Sequence, residues 1–240
     1  MPIDILLTIM VTSVVQSIFG VGVLLFGTPL LLLQGYSFVD ALGIVLPVSI
    51  SISVLQILKH NEHIDNDFFN QVLRYSVPVV VLFLVLITSI KINVGLIIGV
   101  FLLLVALKGF SSTIEQALQA IVKYEKTYLI ITGIVHGVSN LGGSLLTVLI
   151  YSKHYPKNTT RVTAAACYAT LAGFQLLTLL LMGSEFSISY PVKASLVQVG
   201  IFMFLFIEET LYGHIDNEKY SKIFAAFLFA AGWALIAKAL

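Results

Sequence analysis

Apolar runs of about twenty residues recur along the chain, separated by short polar stretches. They cover 3–34, 38–58, 69–90, 92–110, 127–152, 159–182, 188–213 and 220–240. A helix of about twenty residues crosses the ~30 Å hydrocarbon core of a bilayer, so the pattern predicts an all-α, polytopic integral membrane protein. Two segments do not fit a plain span. As one straight helix, 3–34 would be ~48 Å long at 1.5 Å per residue, and its central stretch "VVQSIFGVGVLLFGTPLLLL" is interrupted by Gly20, Gly22, Gly27 and Pro29. Segment 127–152 carries a matching interruption in "IVHGVSNLGGSLL".

An offset of 120 sets Gln16 over His136, Gly20 over Asn140 and Gly22 over Gly142. This divides the chain into an N-terminal membrane repeat (1–110), an amphipathic linker (111–126) that lies on the membrane surface, and a C-terminal membrane repeat (127–240). Basic residues decide how the broken segments run. With eight simple spans the Lys and Arg residues divide seven against six between the two sides. With segments 1 and 5 folded back as re-entrant helical hairpins they divide ten against three, a clear positive-inside bias. The expectation is therefore two inverted four-segment repeats in the inner membrane, with both termini outside the cytoplasm.

Composition narrows the class further. The 240 residues are 58% hydrophobic and 10% charged, against about 25% charged in soluble domains. No segment remains for a separate soluble domain. The net charge of +1 gives no reason to expect a nucleic-acid partner, so the expected partners are the lipid bilayer and a small anion. The single cysteine, Cys167, reads as a small packing residue. The N-terminus lacks a basic region and cleavage site, so the first span is expected to be retained. H-E-x-x-H, Walker A and G-x-S-x-G motifs are absent from the sequence, and neither enzymatic activity nor a cofactor is expected. The "HNEHIDND" loop reads as a solvated turn rather than a metal site.

Backbone that unwinds at membrane depth is tolerated only when buried in protein or lining a watery cavity. A half-helix starting near Gly22, and another near Gly142, would aim free N–H groups and a positive dipole end at such a cavity, which suits an anion. The alternative is that these glycines only permit close helix packing. Paired glycine-broken segments at corresponding positions favour a transporter binding site.

The stretches "QSIFGVGVLLFGTPLLL…DALGIVLPVS" and "GIVHGVSNLGGSLLTVLIYSKHYPKNTTRVTAA" resemble the two repeats of the TauE/SafE sulfite-exporter family, also known as the toluene-sulfonate uptake permeases. The resemblance matches the family's glycine motifs to Gly20, Gly22 and Pro29, and to Asn140, Gly142 and Gly143, with Arg161 to Ala164 opening the sixth segment. Val23 and Ile44 depart from the family pattern. The resemblance implies a secondary exporter of sulfite or an organosulfonate, driven by the proton motive force. An anion channel, a carrier of small carboxylates and a non-transporting subunit are the alternatives. Expected roles follow. Amides at Gly22, Gly142 and Gly143 bind oxyanion oxygens, while Gln16, Ser17, Ser139 and Asn140 donate side-chain hydrogen bonds. His136 is a ligand and proton-coupling candidate. Arg161 either draws anions to the inner mouth or snorkels. Ser49, Ser51 and Ser53 are two apart and cannot all face one path. Glu208 and Glu209 read as interfacial.

Overall fold

The computed structural model describes residues 2–90, 94–108 and 123–211, together with positions 233 and 237. These fold into helices, with no strand among the described residues. The helices are α1 (Ile3–Phe19), α2 (Val23–Gln34), α3 (Phe38–His60), α4 (Asn66–Tyr75), α5 (Val77–Ser89), α6 (Val94–Lys108), α7 (Glu125–Ser139), α8 (Gly143–Ser152), α9 (Lys157–Leu181) and α10 (Tyr190–Leu211). Most of the linker expected at 111–126, and the last apolar segment at 220–240, fall outside the described residues.

Four stretches are long and apolar enough to cross a membrane: Phe38–Lys59, Asn66–Ser89, Asn158–Leu181 and Tyr190–Ile207. Their polarity is arranged for lipid. Leu58, Leu82, Leu181 and Phe202 face outward, while Thr12, Gln16, Ser49, His136 and Gln175 are fully buried. The third apolar segment starts earlier than its hydropathy suggested, because Asp65 caps α4 by accepting the Phe68 N–H at 2.9 Å. Ser37 starts α3 in the same way, accepting the Asp40 N–H at 3.0 Å. An N-cap oxygen satisfies one of the N–H groups that a helix start leaves without an intrahelical partner.

Segments 1 and 5 are each two helices, and each second helix turns back along the first. The Tyr36 hydroxyl donates to Asp4 at 2.9 Å, and Gln34 Nε2 donates to Thr8 Oγ1 at 2.9 Å. In the other half Lys153 Nζ lies 2.9 Å from Glu125, and the Tyr128 hydroxyl donates to the Leu145 carbonyl at 3.0 Å. Residue 36 is thus brought back beside residue 4, and residue 153 beside residue 125. With 17, 12, 15 and 10 residues, α1, α2, α7 and α8 are each shorter than the roughly 20 residues a span needs.

Small residues let the elements close up. A Cβ on Gly133 would stand 2.8 Å from the Ser76 carbonyl, and one on Gly137 2.7 Å from the Val80 carbonyl. This small-x-x-x-small spacing seats α7 directly on the backbone of α5, the usual means of close helix association in membranes. The Ser76 hydroxyl adds a 2.8 Å bond to the Leu129 carbonyl. The long helices α3 and α9 pack most extensively against each other, and α10 lies against α1 and α3.

Candidate functional site

The two breaks are built alike. α1 ends at Gly20, which is left-handed with φ 74°, and its N–H donates to the Gln16 carbonyl at 2.8 Å. α7 ends at Asn140, also left-handed with φ 61°, and its N–H donates to the His136 carbonyl at 2.8 Å. Glycine takes that conformation freely, and asparagine is one of the few residues that also tolerates it. Two residues later the next helix starts against the one just ended. A Cβ on Gly22 would stand 2.5 Å from Gln16 N and 2.9 Å from the Thr12 carbonyl; one on Gly142 would stand 2.5 Å from the Thr132 carbonyl and 2.8 Å from His136 N. Every pair is related by the offset of 120.

A further pair was not anticipated from sequence. Gln56 on α3 donates Nε2 to the Gln16 carbonyl at 3.3 Å, and Gln175 on α9 donates Nε2 to the His136 carbonyl at 3.2 Å. Each break is therefore clamped by an amide from the following long helix. The available signal was a buried amide inside an apolar span, which is costly in a membrane and marks a site of interest.

Around the first break the polar groups are consumed locally. Gln16 Nε2 donates to the Ser49 carbonyl at 3.1 Å and to Ser53 Oγ at 3.2 Å, while its Oε1 accepts from Val23 N at 3.0 Å and Ser49 Oγ at 3.2 Å. Ser49 and Ser53, one helical turn apart, thus face Gln16. Ser51 points elsewhere and donates to the Pro47 carbonyl at 2.8 Å. Ser17 Oγ donates to the Ser13 carbonyl at 2.7 Å. Arg161 does not snorkel: it is only 5% exposed and donates from its guanidinium to the Ser17 carbonyl at 2.9 Å. A cation on the last carbonyls of α1 complements the negative end of that helix.

At the second break Ser139 Oγ donates to the Val135 carbonyl at 2.6 Å and accepts from Leu141 N at 3.3 Å. Asn140 Nδ2 donates to Thr28 Oγ1 on α2 at 2.8 Å, and this bond ties the second break to the first half. The His136 side chain is fully buried; its polar neighbour is the Gln175 side chain, and neither ring nitrogen forms a well-directed hydrogen bond. Gly143 leaves room for Tyr168, whose hydroxyl would lie 1.7 Å from any Cβ at that position. The expected residues therefore gather in two groups. Gln16, Ser17, Gly20, Gly22 and Arg161 surround the first break, and His136, Ser139, Asn140, Gly142 and Gly143 form the second.

The model of the sulfite exporter TauE/SafE family matches residues 5–235. The chain belongs to the TauE/SafE family. Membership together with the long apolar helices identifies a multi-pass membrane transporter of the sulfite-exporter type. No curated protein and no solved structure matches the chain. The family match spans both breaks, so the glycine motifs that carry the resemblance coincide with the two clamped helix ends. Glu208 and Glu209 lie on α10, with side chains outside the described residues. In the "HNEHIDND" loop Glu62 and His63 stay exposed, whereas Asp65 is the cap of α4.

Proposed function

We propose that this TauE/SafE member is a secondary transporter that exports a small sulfur-containing anion, such as sulfite or an organosulfonate, by alternating access. The anion is held between the two helix breaks, and His136 carries a proton that moves with it. The chain forms two inverted repeats in the inner membrane, α1–α2 and α7–α8 are re-entrant hairpins, and both termini lie outside the cytoplasm.

The observation that carries this reading is the Asn140–Thr28 bond. It joins a helix break of one half to the broken segment of the other, beside the start of α8, a helix N-terminus with no side-chain cap that can receive an anion. Support for re-entry comes from residues 36 and 153 returning beside residues 4 and 125, and from the ten-to-three division of basic residues.

Counterflow in proteoliposomes tests the function. A carrier preloaded with unlabelled sulfite accumulates labelled sulfite transiently against its gradient, and Gly142→Val abolishes this. Uptake without trans-stimulation would replace the carrier with a channel. No flux of sulfite or any sulfonate would remove the substrate class.

A further inference from the structure

The two breaks share one backbone plan, yet their side chains are used differently. In the first half each polar position beside the break is closed. Thr12 Oγ1 donates to the Thr8 carbonyl at 2.7 Å, and Gln16 Oε1 caps Val23 N at the start of α2 at 3.0 Å. The position related to Tyr168 by the offset of 120 is Val48, which has no polar atom in its side chain.

In the second half the same three positions are open. Thr132 Oγ1, both ring nitrogens of His136 and the Tyr168 hydroxyl form no well-directed hydrogen bond, with only weak contacts from Gln175 to His136 and from Thr147 to Tyr168, although all three residues are 0% exposed. Thr147, the polar side chain beside Tyr168, donates to the Gly143 carbonyl at 2.8 Å and makes only a weak polar contact with the Tyr168 hydroxyl. No side chain caps the start of α8. Thr132 and His136 lie one turn apart on α7, and Gly142 is pressed onto the Thr132 carbonyl and onto N and Cβ of His136. Tyr168 reaches the next residue, Gly143, from α9. The Tyr168 hydroxyl thus stands against one uncapped N-terminus, and the two α7 residues with open side-chain groups pack on the residue that precedes it. Gln56 Oε1 and Gln175 Oε1 are unpartnered in both halves and do not distinguish them. Ser13 Oγ, also unpartnered, lies on the side of α1 that faces Gly200 of α10.

A buried hydroxyl without a partner costs stability, and a site that leaves several such groups around a helix N-terminus is arranged for a ligand that accepts hydrogen bonds. We infer that the anion site is asymmetric: Tyr168 and Thr132 donate their hydroxyls, beside the open start of α8, to an oxyanion, while the first break is a closed brace. This rests on the function proposed above and adds two ligand residues that the sequence motifs do not contain. An oxyanion fits because several oxygens on one centre can take the α8 amides and the hydroxyls together.

The test uses the full chain, purified, with sulfite and sulfoacetate as probes in calorimetry and thermal melting. Tyr168→Phe and Thr132→Val remove only hydroxyls. Each is expected to weaken binding about tenfold to a hundredfold, the loss for a hydrogen bond to a charged group, while leaving the ligand-free melting temperature unchanged or higher. That opposite response of affinity and stability is the signature. Wild-type-like binding by both variants overturns the inference and leaves the transporter reading intact. A clear drop in the ligand-free melting temperature also overturns it, because the hydroxyl would then have a protein partner. Absence of binding by the wild-type chain overturns the function on which the inference rests.

Discussion

Two glycines separate what a missing side chain does at a break from what it does elsewhere. A methyl group on Gly142 would press on the Thr132 carbonyl at 2.5 Å and on His136 N at 2.8 Å, both backbone atoms of α7. Neither can rotate aside, so Gly142→Ala must pry α8 from α7, at a cost of roughly 1–3 kcal/mol for overpacking. Gly173 lies inside α9 with nothing within 4 Å of a Cβ, and Gly173→Ala should stabilise by about 0.5–1 kcal/mol, the ordinary gain over a helical glycine. Thermal melting of the two purified variants should therefore move in opposite directions. The sequence made Gly142 legible because its spacing repeats Gly22 at the offset of 120. It could not separate Gln16 from His136, which stand at equivalent positions. The first is saturated only because Ser49 and Ser53 come from α3 to meet it, and that meeting is tertiary. Tyr168 was hidden for the same reason, since an aromatic residue in an apolar run looks like packing until Gly143 is placed against its hydroxyl.

At the scale of elements, the end of the fold that holds Asp65 responds to pH. Its carboxyl is pushed up by burial, but the Phe68 and Asp67 amides, the Tyr155 hydroxyl and the Lys153 charge outweigh this and hold it below the usual carboxylate range. Between the folded and unfolded values the unfolded chain binds more protons. The stabilisation is thus whole above about pH 4 and is lost as pH falls through the lower folded value. The Tyr155 hydroxyl is pushed up, by burial and by its bond to Asp65, so its contribution is whole below about pH 10 and lost above. Asp65→Asn keeps a good helix cap but removes the charge. Its melting temperature should lie below wild type at neutral pH, and the two curves should converge in acid; parallel curves down to pH 3 would show that the carboxylate contributes nothing. Element boundaries were legible where capping residues mark them. The α4 start was missed because "HNEHIDND" looks like a polar loop, although Asp65 already begins the helix inside it.

For the whole molecule, two of the contacts that join the halves lie at the ends of the long helices, each anchored by an aspartate of the first half. At one, Asp40 near the start of α3 accepts from Ser187 N at 2.6 Å and Ser187 Oγ at 3.0 Å, and Phe186 fills the space that Gly43 leaves open, with Lys193 Nζ 3.6 Å from its ring. At the other, the turn after α3 meets α9: Asp65 N donates to Thr163 Oγ1 at 3.0 Å, and the Tyr155 hydroxyl donates to the Asp65 carboxylate. The arrangement is reciprocal, since in each case the loop following one half's long helix docks on the beginning of the other's. A carrier with a single central site must open one of these contacts while the other stays closed, whereas a fixed pore needs neither to move. In a Cys167→Ala background, Asp40→Cys with Ser187→Cys bridges the first contact, and Asp65→Cys with Thr163→Cys bridges the second. Oxidation of either pair should stop counterflow in proteoliposomes, and reduction should restore it, because each bridge traps a different one of the two states. Undiminished counterflow with a fully formed bridge at either place would show that the contact does not open during transport, and the gating movement would then have to be sought elsewhere in the fold.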